Sequence, residues 1–406
     1  MAFIFSLIVG FGAFFLGQKI FRRMPPYPLI DSLRIGRAHY LLLGVLVGMF
    51  FSEADEVFHL FEVVRYNCIG AILLWIGLQT GLSTDLQNLR DRGGISQIYS
   101  QTAVVLATGG FTVLAAFASG LILYRYLGLL QNLPLAIVLL TCFALTVRFP
   151  TPFFQWPNRP IPTPVPGQNL PLSNIAAMAV LCIAFPPLAE NPIFYLGNLP
   201  FIGATGIALL MLGAGVVGGI ALDFSFRSHR TGARALGLVL GIVIALSGLC
   251  QAPDLPSLAV GFLSGIWLIN TTVAKREIVE FTTRANDVIE PIFFALTGSI
   301  IGEFGGDIFF LWSPLFPLAL TVILVRGMGR TIGFTVSQTL WQIPQTWREL
   351  LTMSWRPQGT LSIAVGVQAI YLLDFQHYTL ITGLVIAVFL SQMILIPPAN
   401  SPQSHT

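Results

Sequence analysis

Two short stretches put a fixed positive charge beside proline in apolar surroundings. Leu145–Phe154 reads LTVRFPTPFF, with Arg148 ahead of Pro150 and Pro152; Ser354–Val365 reads SWRPQGTLSIAV, with Arg356 ahead of Pro357 and Gly359. Proline lacks an amide and interrupts a helix, so each stretch releases backbone carbonyls from helical pairing. Arginine stays ionised and offers only donors. Such a pairing of half-helix ends with fixed charge holds an ion or a small solute through dipoles, without covalent chemistry. Thr146, Thr151, Gln358 and Thr360 flank the breaks and add hydroxyl and amide groups. Arg330, in LVRGMGRTIGF, is a further arginine in an apolar run, and Glu290, in NDVIEPIFF, is a carboxylate that can exchange a proton. Each feature also has a plainer reading. The prolines can end helices at an interface, Arg148 can be an anchor on the inner side, and Glu290 can cap or snorkel there.

Covalent catalysis and resident metals find no support in the residue pattern. Cys68, Cys142, Cys182 and Cys250 lie in apolar segments without C-x-x-C spacing, as small buried residues do. His39, His59, His229, His377 and His405 are scattered, and neither a G-x-S-x-G nor a phosphate-binding glycine loop occurs. The expectation is a non-enzyme with no cofactor, no metal and no nucleic-acid partner.

The elements that must position these residues follow from composition. Of 406 residues, 55% are hydrophobic and only 10% charged, with mean hydropathy +0.79. Soluble domains carry about a quarter charged residues, so an all-α integral membrane protein is expected, with the bilayer as a partner. Thirteen apolar segments are read, near 3–20, 39–52, 66–83, 98–124, 133–149, 171–189, 199–221, 233–250, 257–273, 286–303, 312–337, 347–373 and 378–397. Alternate connections hold 18 of the 21 lysines and arginines. Basic residues favour the inner side, so the amino terminus is expected outside and the carboxyl terminus in the cytoplasm. Residues 1–397 are read as one transmembrane transporter domain and 398–406 as a short polar tail.

The broken segments, fifth and twelfth, stand seven apart. Seven is odd, so they cross the membrane in opposite directions, as in an inverted repeat with two discontinuous, crossing helices. The repeats span about 66–189 and 286–373. Interrupted backbone is tolerated at membrane depth only around a protein-lined polar cavity.

Four stretches carry a family resemblance. GLQTGLSTDLQNLRDRG (Gly77–Gly93), IEPIFFALTGSIIGEF (Ile289–Phe304), LVRGMGRTIGF (Leu324–Phe334) and RPQGTLSIAVGVQA (Arg356–Ala369) resemble, in order, segments of the monovalent cation:proton antiporter superfamily, the sodium/proton exchanger type. Arg330 matches that family's basic position. The resemblance implies a secondary active transporter exchanging Na⁺ or K⁺ for protons. Its partners would be a small inorganic ion and a proton, and its assembly a homodimer.

The family carries its ion-binding acid on the helix after the first broken one, as an Asn-Asp or Asp-Asp pair. Here Ser173 and Asn174 occupy those positions, and no acid follows before Glu190. Asn174 can coordinate a cation through its carbonyl but cannot titrate. Glu290 is then the nearest replacement. If Arg148 and Arg330 instead face the cavity together, the site is basic and suits an anion or an anion–proton carrier. A third reading keeps the fold but not transport.

Overall fold

The computed structural model describes residues 38–51, 55–85, 107–115, 117–118, 141–142, 145–146, 172–188, 204–228, 233–251, 255–303, 320, 322–333, 335–336, 339 and 359–372. Among these residues there is no strand. The named helices are α1 (Ala38–Phe51), α2 (Asp55–Leu82), α3 (Leu172–Leu188), α4 (Ala204–Ser228), α5 (Ala233–Gln251), α6 (Ser257–Thr271), α7 (Lys275–Glu303) and α8 (Thr360–Leu372). Shorter helical stretches cover 107–115 and 322–333.

Five of these helices coincide with expected apolar segments to within a few residues: α1, α3, α5, α6 and, in its second half, α7. Others differ. The acidic stretch 55–65, read as a connection, is the first part of the 28-residue α2. The basic stretch from Lys275 is the amphipathic start of the 29-residue α7. There Ile278, Val279 and Thr282 are buried, while Arg276, Glu277, Glu280 and Arg284 stay exposed. That 3–4 spacing satisfies helical periodicity, but its charges break an apolar run. α4 is shifted along the chain from the expected 199–221. Among the described residues one helix is long and apolar enough to cross a bilayer unaided, Thr205–Arg227; shorter apolar stretches lie in α1, α3, α5 and α6. The count of thirteen extends over residues outside the described ones.

Two helix pairs pack backbone to backbone at glycines four residues apart. α2 presents Gly77 and Gly81, and α6 presents Gly261 and Gly265. A Cβ on Gly77 would overlap the Leu258 carbonyl, and one on Gly81 would stand 2.8 Å from the Gly265 Cα. α1 and α7 meet in the same way, a Cβ on Gly44 standing 2.9 Å from the Gly298 Cα. Absent side chains let helix axes approach, which is how helices associate where lipid removes the hydrophobic drive. In a third contact, a Cβ on Gly329 would stand 2.9 Å from the Thr112 Cα, joining the stretches 322–333 and 107–115.

Burial is arranged for an apolar medium. The outer faces of α4 and α5 expose Leu209 (64%), Phe224 (71%), Ile244 (60%) and Leu249 (66%). The interior instead collects Asn174, Thr146, Ser362, Gln368, Arg326 and Arg330. A water-soluble protein would reverse that distribution. Hydroxyls along the helices fold back onto carbonyls of their own turn: Thr80 donates to Ile76, Thr112 to Thr108, and Ser264 to Val260. This local pairing satisfies those three donors among apolar neighbours.

Candidate ion site

The site forms where two helical runs stop inside the protein. Residues 141–142 and 145 are helical and Thr146 is not, although its amide still donates to the Cys142 carbonyl at 3.2 Å. Gly359 is non-helical and buried, and α8 starts at Thr360. The Ser362 amide donates to the Gly359 carbonyl at 3.0 Å, closing the first turn. Thr146 Oγ1 and Ser362 Oγ share a hydrogen bond, so the two ends touch. Both side chains are fully buried.

Helix ends carry opposite partial charges, negative at the last carbonyls and positive at the first amides. Each end here has a side chain of the complementary sign. Arg330 Nη2 donates to the Leu145 carbonyl at 2.9 Å, with only 5% of Arg330 exposed. At the other end, Glu290 Oε1 accepts a hydrogen bond from Thr360 Oγ1, on the first residue of α8. Glu290 sits half-buried midway along α7, directly before Pro291.

α3 closes one side. Asn174, Ala177, Met178, Leu181 and Phe185 are among its buried residues, spaced as one helical face. Cys142 Sγ donates to the Ala177 carbonyl at 3.4 Å. That contact lies one turn from Thr146 on one segment and one turn from Asn174 on the other, and Asn174 is 1% exposed. Ser173, half-buried, lies beside this face rather than on it.

Of the residues singled out from sequence, Thr146, Glu290, Arg330 and Thr360 therefore join the two helix ends, with Asn174 on the buried face of α3. Arg148, Thr151, Arg356 and Gln358 lie outside the described residues, as do Phe149–Thr151 and Pro357 of the expected breaks. Three contributors were not anticipated. Ser362 meets Thr146. Gln368 reaches from α8 to α6, its Oε1 accepting from the Leu258 amide at 3.0 Å. α6 has Pro256 at its N-cap and no side-chain cap of its own, so Gln368 takes over that task from another helix. Arg326 had been grouped with the inner connections, yet it is 3% exposed. Its spacing of four from Arg330 puts both on one face, a signal the sequence does carry.

The assembled chemistry is a buried centre of hydroxyl and amide groups, bounded by a guanidinium at the carbonyl end and a carboxylate at the amide end. It can hold a small ion or polar solute. No protein-family model and no curated protein matches the sequence. Among solved structures, the sodium/proton antiporter MjNhaP1 from Methanocaldococcus jannaschii superposes with a TM-score of 0.61, covering 97% of this chain and 99% of that one at 16% identity. The chain therefore has the all-helical fold of a sodium/proton antiporter.

Proposed function

We propose that this protein is a multi-pass membrane transporter that exchanges a small monovalent cation for protons, with sodium the first cation to test. One observation carries the proposal: the buried meeting of the helix ends at Leu145 and Thr360, with Arg330 on the carbonyl end and Glu290 at the amide end. Burying two helix ends in an apolar protein is costly unless they line a polar path. The fold likeness to MjNhaP1 supports the same reading. Arg330 spends a hydrogen bond on Leu145, which argues against its charge being wholly directed at a soluble anion. Transport is proposed in place of catalysis. A homodimer with the amino terminus outside is the proposed arrangement.

A second reading has its own observation. Arg326 and Arg330 are both buried on one face of 322–333, and two neighbouring cations favour an anion. The test separates the two. Purified protein in proteoliposomes is loaded with a pH-sensitive dye and challenged in turn with Na⁺, K⁺ and small anions. Antiport predicts a dye response to an added cation that persists when the anion is exchanged. A response that follows the anion supports the second reading, and no response to any ion refutes both.

A further inference from the structure

We propose that Glu290 is the carboxylate over which cation and proton compete in this chain, held in position by Thr360. The proposal rests on the antiport reading above.

Coupling of two fluxes at one site needs a group that is anionic with the cation and neutral with the proton. α3 contains no acid anywhere in Leu172–Leu188, and the amide of Asn174 does not titrate. Other carboxylates on the described helices are placed differently. Asp85 is paired with Lys275 at 2.9 Å, Asp223 with Arg227 at 2.7 Å and Glu280 with Arg284 at 2.5 Å. Glu277 and Asp287 are exposed. Glu290 is hydrogen-bonded to the first residue of the helix that resumes at the break.

A second observation lies on the same face of α7. Thr297 is seven residues, or two turns, beyond Glu290, and is 1% exposed. Its Oγ1 has no hydrogen-bond partner among the described residues. A buried hydroxyl of that kind calls for a polar occupant nearby. Carboxylate oxygens are donors a hard cation prefers, and Thr297, about 10 Å further along the helix, marks a second polar point on that face rather than a ligand of the same ion. The exchange balances as a carboxylic acid plus a cation giving a cation-bound carboxylate plus a proton.

Charged groups stand on the elements around Glu290. α7 itself carries Arg284 and Asp287 within two turns. The helices packed on it carry His39 (α1) and Asp55, Glu56, His59, Glu62 and Arg65 (α2), α8 carries no charged residue, and Arg330 lies at the facing helix end.

The test uses the full chain in proteoliposomes, with sodium as the probe and dye-reported proton movement as the readout across pH. Wild type and Asp287→Asn are expected to exchange alike. Glu290→Gln is expected to fall to the level of empty liposomes, and adding Asn174→Asp in that background to restore exchange. Thr360→Ala removes the hydroxyl that donates to Glu290, so its exchange profile across pH is expected to differ from that of wild type. A merely structural contact would lower the amount of folded protein without moving that profile. A wild type that exchanges no cation sinks the antiport reading itself. A wild type that exchanges sodium while Glu290→Gln keeps the same rate and pH profile overturns the assignment of Glu290 and leaves antiport standing. If Glu290→Gln does not fold, Thr360→Ala and Glu290→Asp decide: pH profiles identical to wild type in both overturn the assignment.

Discussion

Arg330→Met isolates the work done by one buried charge. The guanidinium lies 2.9 Å from the Leu145 carbonyl oxygen, at the end of a helical run whose last carbonyls carry about half a negative charge. A unit charge against half a charge at that distance, with an effective dielectric near 20, attracts by roughly 3 kcal/mol. Methionine fills similar space but donates nothing, so the Leu145 carbonyl loses this donor, at about 1–3 kcal/mol. These figures describe one interaction from two sides and are not added. Loss of the arginine also relieves its own desolvation, which brings the expected net destabilisation to about 2–3 kcal/mol, roughly 30- to 150-fold in the folding equilibrium. Arg330→Lys keeps a cation able to reach a carbonyl and should stay within about 1 kcal/mol of wild type. The assay is reversible denaturation in lipid–detergent micelles, followed by tryptophan fluorescence, alongside sodium-driven proton flux. Arg330→Met matching wild type in both would refute the claim that this charge satisfies the helix end. If Arg330→Lys fails as badly as Arg330→Met, the planar guanidinium rather than the charge is what the site needs.

Three further outcomes are expected. Gly261→Ala puts a Cβ into the Leu74 carbonyl and should cost about 1–3 kcal/mol. Gly241→Ala meets nothing within 4 Å and should be neutral or gain up to about 1 kcal/mol; equal unfolding midpoints for the pair would contradict the close α2–α6 approach. Thr146→Ala and Ser362→Ala should show a coupling of about 0.5–1.5 kcal/mol in a double-mutant cycle, whereas strictly additive effects mean that the hydroxyls do not meet. Gln368→Leu removes the acceptor from the Leu258 amide at the start of α6, and hydrogen exchange at that amide should speed up; unchanged protection would show that another acceptor serves it.

What was legible in the sequence was whatever an uninterrupted apolar run can encode. α3, α5 and α6 fall on such runs. α2 and α7 exceed theirs, because their first turns trade apolar density for charge while keeping a buried face at Ile278, Val279 and Thr282. Glycine spacing was equally present in the chain, at Gly77 and Gly81 and at Gly261 and Gly265, but hydropathy treats glycine as neither polar nor apolar. Its meaning emerges only when two backbones approach. Arg330 could be singled out because a charge in an apolar run demands an acceptor. Arg326 demanded the same, yet its nearness to a basic connection hid it among residues that favour the inner side.

Ser362 and Gln368 show where sequence reasoning ends. A hydroxyl two residues into an apolar helix, or an amide two turns further on, has no pattern that separates it from filler. Each acquires a role through a partner more than 100 residues away, Thr146 for Ser362 and Leu258 for Gln368. Charge, by contrast, announces itself at long range, because leaving it uncompensated costs several kcal/mol. The site thus divides. Arg330, Glu290, Thr146 and Asn174 were candidates from the sequence, whereas Ser362 and Gln368 were not. Charge also bears on the choice of ion. The two charges oppose one another and each faces a helix end of opposite sign, so neither presents its full field to the centre. The hydroxyls of Thr146 and Ser362 lie where the two ends touch, with Asn174 on the neighbouring buried face of α3. Of these, Asn174 is the one whose isosteric substitution, Asn174→Asp, adds a formal charge. On the proposed antiport reading, Asn174→Asp with Glu290 intact is therefore expected to change the relative response to Na⁺ and K⁺ in proteoliposomes, and an unchanged ratio would place Asn174 away from the ion.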